Sequence, residues 1–391
     1  MTPVNDRTAM VIAGIPAWDM SLYHRIRFSV GDPAAWIGWV RDGRSGSRLI
    51  LRDIEMDRAK RDARADSIAC PADFAPDGGL SPDRAIATAQ AAAECLVREG
   101  FDTAVVHRDL PMLFADCLQE RGIAVVCDRD LGVVDRRAKD EEEIAALAAA
   151  QAATESAMRF ACETVARADA AVDGTLMREG EPLTSERVRA LIDMHLIELG
   201  FAPRPAIVAG GPEGADCHEL GSGPLRTGQP VIIDIFPRNP ASLYNGDCTR
   251  SVVHGEIPPE VAAMHAAVVA AKRAGIAATR AGVTAQSVHE ATVAEIRAAG
   301  FEVGLAGPDD PPGGRMVHGT GHGIGLEVHE GTLLDRSPSG SSPELVVGEA
   351  LTIEPGVYDP RIGGIRIEDL VIVEAGGCLN LNTLPEGLDW R

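Results

Sequence analysis

The sequence has no run of about 18 apolar residues that could span a bilayer, no basic start followed by an unbroken apolar core, and no cluster of Lys and Arg. Each absence removes a class of function. The longest apolar stretches, such as Ala262 to Ala271, are alanine-rich and interrupted by His265, so no membrane partner is expected. Met1 to Met20 carry Asp6, Arg7 and Asp19, which argues against a secretory signal, and the mature chain is expected to start near Met1. Cations are scarce: 37 Lys and Arg stand against 58 Asp and Glu, a net charge of −21. Nucleic-acid affinity comes mostly from neutralising phosphates, so no nucleic-acid partner is expected. The eight cysteines are scattered without a Cys-x-x-Cys pair, which excludes zinc-finger and disulfide-scaffold readings and fits a reducing, cytoplasmic location.

What remains is a chain of 391 residues, 45% of them apolar, long enough for two globular domains. Up to residue 135 strand-like and helix-like segments alternate, an α/β pattern. A helix is expected over Ser81 to Glu99, opened by Ser-Pro and stopped by Gly100, then a strand over Thr103 to His107, a helix over Pro111 to Arg121 and a strand over Ile123 to Cys127. Trp18, Trp36 and Trp39 read as packing residues rather than a pocket. Near Val133 to Glu143 the composition changes: Arg136, Arg137 and Lys139 precede Asp140 to Glu143, and an alanine-rich helix runs to about Ala168. The domain boundary is placed here, giving domains over residues 1–135 and 136–391. The acidic run reads as a solvated helix start, favoured by the helix dipole.

The second domain reads as α+β. A helix over Ser185 to Leu199 is followed by strands at Pro205 to Ala209, Pro230 to Phe236 and Asp247 to Val253; helices at Pro259 to Ala281 and Ala285 to Ala299 precede strand-rich sequence over Arg315 to Val373. The order of a helix pair followed by strands thus occurs twice, a faint sign of internal duplication.

Four carboxylates are embedded in apolar strands of this half. Asp234 lies within Val231 to Phe236, where an unpaired carboxylate would be costly to bury. Asp247 follows a loop rich in Pro, Asn and Gly that suits a hairpin, so the two aspartates are expected on paired strands. Glu354 ends the run Ala350 to Glu354, and Glu368 sits inside Gly364 to Val373. Brought together, four carboxylates would repel one another unless cations held them. Two divalent ions balance four negative charges, and a neutral imidazole from the glycine-flanked His322 completes the set, with His318 and His329 close by for proton transfer or substrate contact. Thr249 and Arg366 lie two residues from Asp247 and Glu368, on the same strand faces, and are placed to orient those carboxylates. A carboxylate-rich set with one imidazole suits Mn2+, Co2+ or Zn2+, with iron also admissible. Tyr244 is a candidate rim residue. His24, His107, His195, His254, His265 and His289 fit no ligand pattern and are expected to be structural or exposed.

Asp234, Asp247-x-Thr249-Arg250, His318-x-x-x-His322-Gly-Ile-Gly, Val328-His329-Glu330, Ile353-Glu354-Pro355-Gly356 and Ile365-Arg366-Ile367-Glu368 occur in this order. In this, over about residues 140 to 385, the chain resembles the pita-bread metallopeptidases, the family of Xaa-Pro aminopeptidase, Xaa-Pro dipeptidase (prolidase) and methionine aminopeptidase. The resemblance implies a pita-bread catalytic domain preceded by a smaller α/β creatinase-type N-terminal domain. It implies that Asp234 chelates one metal, that His322 and Glu354 bind the other, and that Asp247 and Glu368 bridge both. It further implies Glu354 as proton shuttle, His329 as stabiliser of the tetrahedral intermediate, His218 and His318 as contacts to substrate or leaving nitrogen, a small peptide substrate and a homodimer. The large first domain and His318 favour the proline-directed branch, whose substrate is an Xaa-Pro peptide, and the complete ligand set argues against creatinase activity. Asp234 and Asp247 stand thirteen apart, two more than the family's usual spacing, so the loop Pro237 to Gly246 is longer. An even insertion keeps both carboxylates on one face, although it puts the substrate preference in question. The alternatives are hydrolysis of another small amide or peptide, and a non-catalytic binding protein on the same fold.

Overall fold

The structure is a computed structural model that describes residues 6–307, 310 and 313–391; the expected chain start at Met1 lies outside them. The chain divides into two compact units, one ending at Arg136 and one beginning at Arg137.

The first unit is built on a six-stranded mixed sheet in the order Ser67–Ala69, Arg44–Ile50, Ala34–Arg41, Thr8–Gly14, Thr103–His107, Ala124–Asp128. Its central strand, Thr8–Gly14, pairs antiparallel with Ala34–Arg41 and parallel with Thr103–His107. The helix expected from Ser81 starts later, at Arg84–Arg98, because the Asp83 carboxylate caps it by accepting from the Ala85 and Ile86 amides. Trp36 packs into the core, Trp39 lies 5.8 Å beneath the Arg48 guanidinium, and Trp18 is 74% exposed.

The second unit carries the strands that place the candidate site. Ile207–Gly210, Pro230–Ile235 and Cys248–Val253 form an antiparallel sheet in which Asp234 faces Thr249. A five-stranded sheet runs in the order Glu330–Leu334, Gly321–Gly323, Ala350–Ile353, Asp369–Val373, Cys378–Asn380. A four-stranded sheet includes Gly356–Asp359 paired with Gly363–Arg366. The sequence reading of one long strand from Gly364 to Val373 is therefore corrected. The chain pairs with Gly356–Asp359 up to Arg366 and with Ala350–Ile353 from Asp369 onwards, so Glu368 stands at the crossing between two sheets. Asp247 likewise sits just before its strand, and Glu354 just after Ala350–Ile353.

Helices cover these sheets. Glu141–Ala166 begins with a capping box in which Asp140 and Glu143 each accept the other's backbone amide. The reading of its acidic start as solvated holds for Glu141 and Glu142 but not for Glu143, which is buried and accepts a hydrogen bond from the Tyr244 hydroxyl. The helix Pro259–Ala278 has the length and mean hydropathy (1.3) of a bilayer span. Its apolar composition has a tertiary use: Val261, Met264, Val268 and Ala271 pack into a core with Val357 and Ile365, while buried Lys272 donates to Asp369 and pairs with Glu386.

Candidate metal centre

Asp247, His322 and Glu368 each offer a donor atom within 4.8 Å of the others, and all three side chains are buried. Glu354 joins them through His322, whose Nε2 lies 3.3 Å from Glu354 Oε1 and 3.9 Å from Asp247 Oδ2. Asp234 lies at the edge: Arg366 donates to its Oδ2 at 2.7 Å, and its Oδ1 is buried without a hydrogen-bond partner. All five line one cavity of about 510 Å³, together with His218, His318 and His329.

Backbone contacts hold each donor in place. The Gln151 side chain, on the helix Glu141–Ala166, clamps Asp247 by donating to its carbonyl at 2.7 Å and accepting from its amide at 2.9 Å. The Glu354 amide donates to Thr320 O at 2.7 Å, and the Glu368 amide to Thr249 O at 3.1 Å. The Thr352 hydroxyl accepts from the His322 amide and donates to Glu354. Thr249 and Arg366 act on the carboxylates as their strand faces predict: Thr249 Oγ1 donates to Glu368 Oε2 at 2.8 Å and accepts from Arg366 Nε at 3.3 Å. Arg366 also donates to Cys217 O and to the Tyr358 hydroxyl.

The donor set fits a cation site on three grounds. First, His322 Nδ1 lies 3.1 Å from the Gly323 carbonyl. A carbonyl only accepts, so Nδ1 carries the hydrogen and the Nε2 lone pair points at the carboxylates. Second, Asp234 Oδ1 is a buried acceptor with nothing to accept from. Third, burial and then the neighbouring carboxylates push Asp247 and Glu368 well above the ordinary carboxylate range, the response of anions packed without enough positive charge. Burial also raises Asp234, with Arg366 pulling the other way. Against burial, the hydrogen bond and charge of His322 hold Glu354 down at about 2, so the His322–Glu354 pair shares a proton whose place a divalent cation would take.

The three further histidines differ. His318 Nδ1 lies 2.8 Å from Gly319 O and Nε2 lies 2.7 Å from the Tyr358 hydroxyl. With Nδ1 donating to the carbonyl, Nε2 accepts from Tyr358, and burial lowers the pKa of the ring, which keeps it neutral. Both nitrogens are thus engaged within the protein, so its contact with a substrate is through the ring face unless Tyr358 moves. His329 is exposed to the cavity and meets the His322 ring edge to face at 4.3 Å. His218 is exposed on a loop at the cavity wall, its amide donating to Asp216. Tyr244 is not a rim residue: it is 2% exposed, because its hydroxyl reaches inward to Glu143. Gln151, Tyr358, Thr352 and Arg204, the last another residue lining the cavity, carry no mark in the sequence, since each reaches the site from an element distant in the chain.

Residues 146–375 match metallopeptidase family M24. A probable dipeptidase PepE of Mycobacterium tuberculosis is 36% identical over 232 residues, 58% of this chain and 58% of that protein. An Xaa-Pro dipeptidase of Pyrococcus furiosus is 30% identical over 225 residues, 56% of this chain and 59% of that one. The matched region thus spans somewhat more than half the length of these relatives. Among solved structures, a prolidase from Pyrococcus horikoshii aligns over 98% of this chain and 96% of its own with a TM-score of 0.76 and 22% identity, which establishes the likeness of fold. With its pita-bread fold and its match over more than half its length, the chain belongs to metallopeptidase family M24.

Proposed function

We propose that this protein is a peptidase that uses two divalent cations to hydrolyse Xaa-Pro peptide bonds, as an Xaa-Pro dipeptidase or aminopeptidase. The observation that carries the reading is the convergence of four carboxylates and the His322 Nε2 lone pair on one cavity, with Asp234 Oδ1 unsatisfied. Asp234 would hold one cation, His322 and Glu354 the other, and Asp247 and Glu368 would bridge them. Mn2+, Co2+ or Zn2+ suits this set. When bound, the cations supply Lewis-acid activation of water and of the scissile carbonyl.

The chain's own residues do the rest. Glu354, ionised and within reach of the reacting water, takes its proton and returns one to the leaving nitrogen. His329, exposed in the cavity beside His322, stands where a hydrogen bond to the developing oxyanion forms. Thr249 and Arg366 keep the bridging and terminal carboxylates in the required rotamers. His218 and the face of His318 line the space for the substrate. The names of the dipeptidase relatives support the substrate class.

The test is hydrolysis of an Xaa-Pro dipeptide, an Xaa-Pro-Yaa tripeptide and a Met-Ala peptide by metal-stripped protein refilled with manganese, cobalt or zinc, beside Asp247→Ala. Metal-dependent cleavage of the proline substrates, lost in Asp247→Ala, is the expected result. Binding of two cations with no peptide cleaved would sink the substrate assignment and bring forward another small amide or a binding role.

A further inference from the structure

The wall of the cavity carries one cation whose partner is missing. Arg366 uses its guanidinium on Thr249, Cys217, Tyr358 and Asp234. Arg204 lines the same cavity, is half-buried, and makes no hydrogen bond or ion pair among the described residues. If two divalent cations neutralise the four carboxylates, Arg204 remains an uncompensated positive charge facing the bound molecule. Near it on the wall lie Ile207, Phe236, Val328 and Leu333, an apolar lining.

The backbone presents Arg204 rigidly. It stands between Pro203 and Pro205, and a residue before proline is confined to extended conformations. Ala202 exchanges two backbone hydrogen bonds with Arg238, at 2.9 and 3.0 Å, and two residues beyond Pro205 the strand Ile207–Gly210 begins. Arg238 belongs to the longer hairpin loop Pro237 to Gly246, itself tied down by Asn245, whose amide and side chain both donate to Gly325 O. The lengthened loop therefore braces the segment that carries Arg204. On the other side, the Arg204 charge reaches the His329 ring, where after burial it acts with His322 and His218 to favour the neutral imidazole. This places the guanidinium on the His322 side of the cavity.

We infer that Arg204 receives the C-terminal carboxylate of a dipeptide, and that it is the residue that makes this peptidase prefer dipeptides to longer chains. The inference rests on the peptidase reading and deepens it. A planar guanidinium takes a carboxylate through two parallel hydrogen bonds. An apolar residue such as proline, one bond beyond the scissile carbonyl, ends in such a carboxylate and matches the apolar wall. A longer peptide would present a neutral amide there instead.

The experiment compares wild type, Arg204→Met and Arg204→Lys, each loaded with its best metal, on Ala-Pro, Ala-Pro amide and Ala-Pro-Ala. In wild type, amidation is expected to lower kcat/KM about 10- to 100-fold, mainly through KM, as loss of a charge-assisted hydrogen-bond pair does. In Arg204→Met the dipeptide and its amide should become equal within about threefold, with Lys restoring part of the preference. A wild type indifferent to amidation, or an Arg204→Met variant that keeps the wild-type ratio, overturns the inference. Calorimetric binding of proline and prolinamide to the metal-loaded proteins separates this from failure of the peptidase reading. If no peptide is cleaved, proline binding that is weaker in Arg204→Met by about tenfold or more still supports the assignment, and equal or absent binding of both compounds refutes it.

Discussion

Replacing Thr249 by valine tests the carboxylate network without touching a donor atom. The side chain is fully buried, its hydroxyl donates to Glu368 Oε2 at 2.8 Å, and it accepts from Arg366 Nε at 3.3 Å. Valine has the same shape and keeps the strand contact, so the change removes these two hydrogen bonds alone. The stronger one ends on a carboxylate, for which a loss of about 1.5–3 kcal/mol is the usual scale. At about 1.4 kcal/mol per tenfold, that is roughly 10- to 100-fold in cation affinity, which is also the usual effect of removing a group that orients a metal ligand. The assay is competition for Mn2+ or Zn2+ against a chelating dye, with Thr249→Ser beside it. Serine retains the hydroxyl and should fall within about threefold of wild type. Wild-type affinity in Thr249→Val would refute the idea that this hydroxyl positions Glu368. An equal loss in Thr249→Ser would point to packing of the methyl group instead.

Removing the cations should destabilise the protein: at a ligand concentration of about 100 Kd the linkage term is about 2.7 kcal/mol, so chelation should lower Tm by about 5–10 °C and refilling should restore it, as differential scanning fluorimetry would show. Tyr244→Phe leaves the buried Glu143 carboxylate short of its donor and is expected to cost about 1–3 kcal/mol, read from the denaturant midpoint; an unchanged midpoint would deny the contact any weight. Gly321→Ala would put a Cβ 1.9 Å from Thr352 O beside His322, so a loss of more than about 3 kcal/mol or of soluble protein is expected. A stable variant with intact metal binding would show that the strand can move aside. Lys272→Met strands the buried Asp369 carboxylate, and a loss of about 3–5 kcal/mol in chemical denaturation is expected.

The sequence alone determined the local and the repeated. Apolar runs with embedded carboxylates marked the strands around Asp234, Asp247, Glu354 and Glu368, because an isolated charge in such a run has to find a partner. Two-residue alternation placed Thr249 with Asp247 and Arg366 with Glu368, and Thr249 and Arg366 do bond to each other and to carboxylates of the cluster. The order of the motifs pointed to the family to which the chain belongs. Helix starts were legible less well, since a Ser-Pro pair and Asp83 are both plausible openings and only the capping hydrogen bonds choose between them.

Tertiary structure decided whatever depends on contacts between distant segments. Gly364 to Val373 reads as one apolar strand, but hydrogen bonding to two different partners splits it and sets Glu368 at the junction of two sheets. Periodicity carries no information about which strand lies alongside. Tyr244 and Glu143, 101 residues apart, turn a seemingly solvated helix start and a seeming rim residue into one buried pair. Gln151 clamps Asp247 across 96 residues, and Tyr358 ties Arg366 to His318 across 40. Arg204 gains its significance only from the cavity it borders, because an unpartnered cation is a property of the space around a side chain and not of its neighbours in sequence.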